Sequence, residues 1–413
     1  MEHKSRWHLF QVYGVELEYM IVDQDSLDVR PIADAVLRDE QGNIQGEMEF
    51  DDVAWSNELV SHVIEIKSNG PTADLQKLSQ SLHNNVKQIN QRLAASGAKL
   101  LPSAAHPWMV PAEETKIWEH ENQDIYHAYD RIFNCKGHGW SNLQSTHLNL
   151  PFYDDEEFSR LHTAIRFILP ILPGLTASSP ILGGKFSKYM DKRLYYYQSN
   201  QSKIPVLTGK VIPDLVYSKY GYQKHIYDRI TQAIKPFDQE GIFDPVWLNS
   251  RGAIARFDRG AIEIRIMDIQ ECPQSDLAIV NLVIHLLKLL VKAKWINFET
   301  QQSLNTMELH DIFEQTIKHA SATEVSHMNY LRALGYKEEK TCAELWRGIM
   351  DKVFAEYPKE MEPWRATLEV IAQQGTLAER IMKAVNDNYE KDNLKKVYNQ
   401  LADCLESNSC FVP

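Results

Sequence analysis

A chain of 413 residues, 44% hydrophobic and 24% charged, is long enough to bury a large core and more than one lobe. Its 44 basic and 56 acidic residues leave a formal charge of -12, which argues against nucleic acid or an anionic membrane as a partner and leaves any anionic substrate to local cations or metal. The five cysteines are scattered without metal-ligand spacing, and MEHKSRWHLFQVYG has no apolar run of the secretory kind, so a reduced, cytoplasmic setting is expected.

The first strong element is GVELEYMIVD, Gly14 to Asp23. Strand alternation turns Val15, Leu17 and Tyr19 one way and Glu16 and Glu18 the other. HVIEIKS predicts a second strand carrying Glu65, seven residues after Glu58. Between it and KLLPSAAHP, Leu75, Leu78, Leu82, Val86, Ile89 and Leu93 recur at helical spacing, with Thr72 as N-cap and Gly97 as stop. KLLPSAAHP then leads into a loop holding His106 and Trp108.

STHLNLPF predicts a third strand with His147 and Asn149 on one face, and a helix should begin near Asp154. The segment Ser178 to Asp214, rich in Gly, Pro, Lys, Arg and Tyr, reads as a long functional loop. Within it Arg193 could hold a substrate carboxylate with its guanidinium fork or belong to an exposed basic loop. Tyr195 to Tyr197 read as a packed aromatic strand rather than an adenine platform. In ARFDRGAIEIRIMD, Glu263 and Arg265 share a strand face, and alternation adds Arg259 but not Arg256 to it. The apolar run DLAIVNLVIHLLKLLVKAKW is interrupted by Asn281, His285, Lys288 and Lys292 and should be a buried helix, not a membrane span. The layout is α+β: an antiparallel or mixed sheet with helices on one side over residues 1–276, then a mainly helical part, 277–413, packed on the same unit.

Four strands therefore embed ligand-type side chains in aliphatic runs. Converging carboxylates repel by about 1 to 4 kcal/mol per close pair. Lys67 and Arg265 alone cannot balance Glu16, Glu18, Glu58, Glu65 and Glu263, so divalent cations are the natural counterions. Glutamate oxygens with the single His147 suit Mg2+ or Mn2+ better than zinc, and more than one ion is implied. Ions bridging phosphate oxygens, with an arginine at the transferring group, would serve phosphoryl transfer. No Walker-type or kinase-type nucleotide motif accompanies them.

In that order and spacing, GVELEYMIVD, ELVSHVIEIKS, THLNL and RGAIEIRIMD resemble the signature strands of the glutamate-cysteine ligase superfamily, in its bacterial carboxylate-amine ligase branch. The resemblance covers Tyr13 to Asp276. It implies a glutamine-synthetase-like fold, a curved antiparallel sheet forming a funnel, with ATP at one end, amino acids at the other and two or three Mg2+ between. Carried over by motif, it implies Glu16, Glu18, Glu58, Glu65, His147 and Glu263 as metal ligands and Arg265, with Arg259, as phosphate contacts. Glu263 and Arg265 become the catalytic pair, and His106 joins Arg193 and Asn149 near the substrate. Asn149 stands where many relatives carry a second histidine.

The implied reaction joins an amino-acid carboxylate, by default the γ-carboxylate of glutamate, to a small amine through an acyl phosphate made from ATP. The resemblance also suggests a homo-oligomer. Two rivals stay open: a catalytically idle relative that binds nucleotide or peptide and regulates a partner, and a multi-metal phosphohydrolase on the same acidic cluster.

Overall fold

The protein is described by a computed structural model covering residues 6–413; residues 1–5, the start of the amino-terminal stretch read above for a leader, lie outside it. In chain order the strands are β1 (Gly14–Asp23), β2 (Glu47–Phe50), β3 (Val53–Asn57), β4 (Val63–Ser68), β5 (Ala98–Leu101), β6 (Ser145–Pro151), the short hairpin β7 (Ile181–Leu182) and β8 (Lys185–Phe186), then β9 (Ala253–Arg256) and β10 (Ala261–Asp268). An open antiparallel sheet runs β2-β3-β4-β1-β6-β10-β9. One edge of β1 pairs with β6 through Gly14 to Leu17 and with β5 from Met20 onward.

Alternation explains the two faces. Val15, Leu17, Tyr19 and Ile21 are fully buried in one large apolar cluster with Leu78, Leu82, Val86 and Ile89 of the helix Leu75–Ala94. That helix packs on β4, β5 and the helix Pro273–Val291. The opposite face of β1 is polar at Glu16 and Glu18, then turns apolar at Met20 and Val22. These join a second cluster with Leu394, Val397, Tyr398 and Leu401 of the helix Lys391–Ser407. The carboxy-terminal part of the chain thereby covers one end of the polar face, leaving Glu16 and Glu18 beyond the covered end.

Several local expectations change. The cap of helix Leu75–Ala94 is Asp74, whose side chain accepts the Lys77 N–H at 2.9 Å, while Thr72 instead accepts the N–H of Asp74. Tyr195–Tyr197 lie in the helix Lys192–Tyr197, capped by Asp191, and not in a strand. ARFDRGAIEIRIMD is a hairpin of two strands turning at Gly260, whose φ of +66° suits glycine. A β-bulge then sets two residues of β10, Arg265 and Ile266, opposite His147 of β6. The extra residue shifts the side-chain phase, so Asp268 follows Glu263 and Arg265 onto the polar face instead of falling behind it.

The helix Pro273–Val291 is long and apolar enough to cross a membrane, but 89% of its apolar window is buried inside the protein. Its polar residues find protein partners: His285 donates to the Asn281 carbonyl at 2.8 Å, and Asn281 donates to the Glu360 carbonyl at 3.3 Å.

Candidate functional site

The register of the sheet builds the site. Glu16 lies between Lys67 of β4 and His147 of β6, Glu18 lies opposite Glu65, and Glu263 lies opposite Asn149. His147 is the hub. Its Nδ1 is 3.0 Å from Glu16 Oε2 and 3.8 Å from Glu263 Oε1, and its Nε2 is 3.8 Å from Glu18 Oε1. Ser145 receives the Nε2 hydrogen at 2.9 Å and passes its own hydroxyl hydrogen to Glu18 Oε2 at 2.9 Å, and its backbone N–H donates to the same oxygen. Asn149 donates to Glu16 Oε1 at 3.0 Å. Ser56 and Lys67 both hold Glu65 Oε1, at 2.7 and 3.1 Å.

Two groups of possible ligand atoms result, each drawn together within 4.8 Å: Glu16, His147 and Glu263, and Glu18, Glu65 and His147. They lie on the two sides of one imidazole. Carboxylate oxygens with one imidazole form a hard donor set suited to Mg2+ or Mn2+.

The charges report crowding. Burial, then the charge of Glu16, pushes Glu65 up to about 7, and burial with the charges of Glu18 and Glu65 holds Glu58 well above the usual carboxylate range. Burial would also raise Glu16, but the hydrogen bond and charge of His147, then Lys67 and Arg265, bring it down to about 2. Burial opposes the charged form of His147, yet the Glu16 hydrogen bond and the charges of Glu18 and Glu16 push it up to about 9. Without a divalent cation, an imidazolium offsets part of the negative charge.

Clefts open at both ends of this cluster. One, of about 410 Å3, is lined by Trp7, Tyr13, Glu16, Lys67, Asn149 and Arg259. The other, of about 260 Å3, is lined by Glu18, Glu58, Ser145, His147, Arg193 and Arg265 with a set of aromatic rings. Glu16 and Glu18 are two residues apart on a strand, roughly 7 Å, so a single elongated surface connects the clefts.

The residues predicted from the sequence separate accordingly. Glu16, Glu18, Glu65, His147 and Glu263 meet, and Glu58, just beyond β3, lines the wall beside Glu18. Arg265 reaches Glu263 at 3.0 Å. Arg193 is not on an exposed loop: it is 2% exposed, and its Nε donates to Asp268 Oδ1 at 2.5 Å. Its Nη2 is buried without a partner.

His106 is corrected. Its ring is fully buried, Nε2 donates to the Leu27 carbonyl, and Nδ1 accepts the N–H groups of Trp108 and Met109, so no ring nitrogen is left for a substrate. The choice between Arg256 and Arg259 is also corrected. Arg256 ends β9 and reaches Glu263 at 3.6 Å, while Arg259 sits in the turn, pairs weakly with Asp258 and lines the first cleft. Alternation failed because it was counted through a turn.

Sequence reasoning missed the Lys67–Glu47 pair at 2.6 Å, the Ser145 relay and the role of Asp268. Asp268 accepts from Ser178 N, Ser179 Oγ and Arg193 Nε, and so anchors the segment after Ser178 to the end of β10. The one sequence signal for it was an aspartate closing an otherwise apolar strand.

Comparison with known proteins first defines a class, the carboxylate-amine ligases. More narrowly, residues 12–399 match glutamate-cysteine ligase family 2, and the chain belongs to that family. A protein of Archaeoglobus fulgidus described as uncharacterized is 33% identical over 401 residues, covering 97% of this chain and all of its own length. The glutamate-cysteine ligase of Francisella tularensis, solved in complex with AMP, superposes with a TM-score of 0.62 at 10% identity, covering 96% of this chain and 89% of that one. A bifunctional glutathione synthetase from Pasteurella multocida gives 0.58 at 13% identity, covering 95% of this chain and 52% of that one. At such identities the likeness is one of fold.

Proposed function

We propose that this protein is an ATP-dependent ligase that phosphorylates an amino-acid carboxylate, by family resemblance the γ-carboxylate of glutamate, and transfers the acyl group to an amine. The observation that carries this reading is the pair of acidic groups sharing His147, with a cleft on either side. In the proposal the sheet serves as the curved, glutamine-synthetase-like funnel: nucleotide enters the cleft of Lys67 and Arg259, and the amino acid enters the cleft of Arg193.

Glu16, Glu263 and His147 through Nδ1 would hold one cation, and Glu18 and Glu65 a second, with Glu58 alongside. Bound Mg2+ or Mn2+ would supply charge neutralisation at the phosphate oxygens. The chain's own residues do the rest. Arg265, fixed by Glu263, faces the transferring phosphoryl group, and Arg256 supports the same carboxylate from β9. Asn149 and Ser145 hold Glu16 and Glu18 in place from the neighbouring strand. The aromatic walls limit water around the activated acyl group.

The test is phosphate release from ATP across a panel of amino acids and amines, with mass spectrometry of the product. The reading requires release that depends on both an acid and an amine, and an amide of the matching mass. Release needing no amine would point instead to a phosphohydrolase, and no turnover with any pair, alongside retained partner binding, to an idle relative.

A further inference from the structure

The second cleft carries more information than the ligase reading uses. Three buried polar atoms on it lack protein partners: Arg193 Nη2, Tyr197 Oη and Asn200 Oδ1. Arg193 Nη2 is a donor that cannot lose its charge, and Asn200 Oδ1 is an acceptor. Together they match the α-carboxylate and α-ammonium of one amino acid.

After that match, the cleft has no further free cation. Its basic side chains, among the described residues, are Arg193, Arg265 and His147. Arg265 is paired with Glu263, and His147 lies among Glu16, Glu18 and Glu263. The remaining charged lining is acidic, Glu18 and Glu58. With Glu18 and Glu58 given to the proposed cation, Arg193 to the first substrate and Arg265 to Glu263, no side chain of the cleft is left to pair with a carboxylate on a second substrate.

The rest of the lining is aromatic. Tyr126, Tyr129, Trp140 and Trp247 face the cleft, and Trp247 stands 50% exposed. The polar tips of three of them are already engaged within the protein. Tyr126 Oη accepts from Asn57, Tyr129 Oη donates to the Trp247 carbonyl, and Trp140 Nε1 donates to the Asn200 carbonyl. Apart from the Tyr126 hydroxyl hydrogen and the Trp247 N–H, what they offer a ligand is ring surface, with Tyr129 and Trp140 5.6 Å apart at 62°.

We infer that the acceptor is an aromatic or bulky apolar primary amine without a carboxylate, bound by these rings, and not an amino acid such as cysteine. The inference rests on the proposed ligase activity and deepens it. The acid's carboxylate oxygen takes the γ-phosphoryl group and ADP leaves. The amine nitrogen then forms a C–N bond to the carbonyl carbon, the C–O bond to phosphate breaks, and inorganic phosphate and one proton are released.

The experiment uses the full chain with ATP, Mg2+ and an amino-acid panel including L-glutamate, offered L-cysteine, methylamine, 2-phenylethylamine or hydroxylamine. Hydroxylamine needs no acceptor pocket, so hydroxamate formation tests the ligase reading alone. The expected result is a kcat/KM for 2-phenylethylamine about tenfold or more above that for cysteine, with Trp247→Ala and Trp140→Leu each lowering the 2-phenylethylamine value more than the hydroxylamine value. Hydroxamate formation from hydroxylamine, together with a kcat/KM for cysteine equal to or above that for 2-phenylethylamine, overturns the inference and leaves the ligase standing. Failure to form hydroxamate with any acid overturns both.

Discussion

Replacing Glu263 by Gln keeps the shape of the side chain and removes one of the two carboxylates that surround His147 Nδ1. If the Glu16, His147 and Glu263 group holds a divalent ion, that ion stabilises the native state by about 2.7 kcal/mol at a hundred times its dissociation constant. An unfolding entropy of about 2.1 cal/mol/K per residue gives about 0.9 kcal/mol/K for 413 residues, so Tm rises by about 3 °C. A carboxylate about 4 Å from a unit charge contributes about 4 kcal/mol at an effective dielectric of about 20, so a hundredfold loss of affinity is a conservative expectation for the neutral variant. At the same ion concentration the stabilisation then falls to about 0.4 kcal/mol, a Tm shift of less than about 1 °C. The assay is thermal unfolding with and without Mn2+, in buffers matched for ionic strength with NaCl. Only the ion-induced shift is compared, because the metal-free baseline also changes when Arg265 and Arg256 lose a charged partner. An equal shift in Glu263→Gln and wild type would refute the assignment of Glu263 to an ion.

Three further predictions concern the scaffold. Asp268→Asn leaves the buried Arg193 guanidinium without its charged partner and should cost about 3–5 kcal/mol in urea unfolding, so a loss under about 1 kcal/mol would mean the pair does not anchor the segment. Burial, opposed by the hydrogen bond to the Leu27 carbonyl, lowers His106 from 6.5 to about 4, so the unfolded chain takes up a proton at this position before the folded one does. Stability at this residue is therefore complete above about pH 6.5 and lost as pH falls toward 4, so His106→Gln should lose about 2 kcal/mol less than wild type between pH 7 and pH 5 in urea titrations. A Cβ at Gly252 would come within 2.7 Å of Ile266 and 3.0 Å of Val211, beside the bulge, so Gly252→Ala should destabilise by about 1–3 kcal/mol, read from the urea midpoint.

The membership of the site was mostly legible. Glu16 and Glu18 betray themselves as a pair of acids inside an apolar strand, because side-chain alternation is a local property that needs no knowledge of the partner strands. The same held for Glu65, His147 and Glu263, and for the apolar back of β1. His106 was misplaced for a different reason. A histidine beside Trp and Pro has the same local sequence whether it lines a cleft or is saturated by the Leu27 carbonyl and two backbone N–H groups, and only the packing tells them apart.

What the chain's order of residues determined was which side chains share a face, since each strand's phase is set within a few residues. What the tertiary structure decided was everything that depends on neighbours distant along the chain: that β4, β1, β6 and β10 lie side by side, that a bulge rephases β10 so that Asp268 meets Arg193, and that Arg256 rather than Arg259 reaches Glu263. Such pairings are fixed by the burial of the whole apolar face and by hydrogen-bond register between strands far apart in sequence. A single strand carries no record of either.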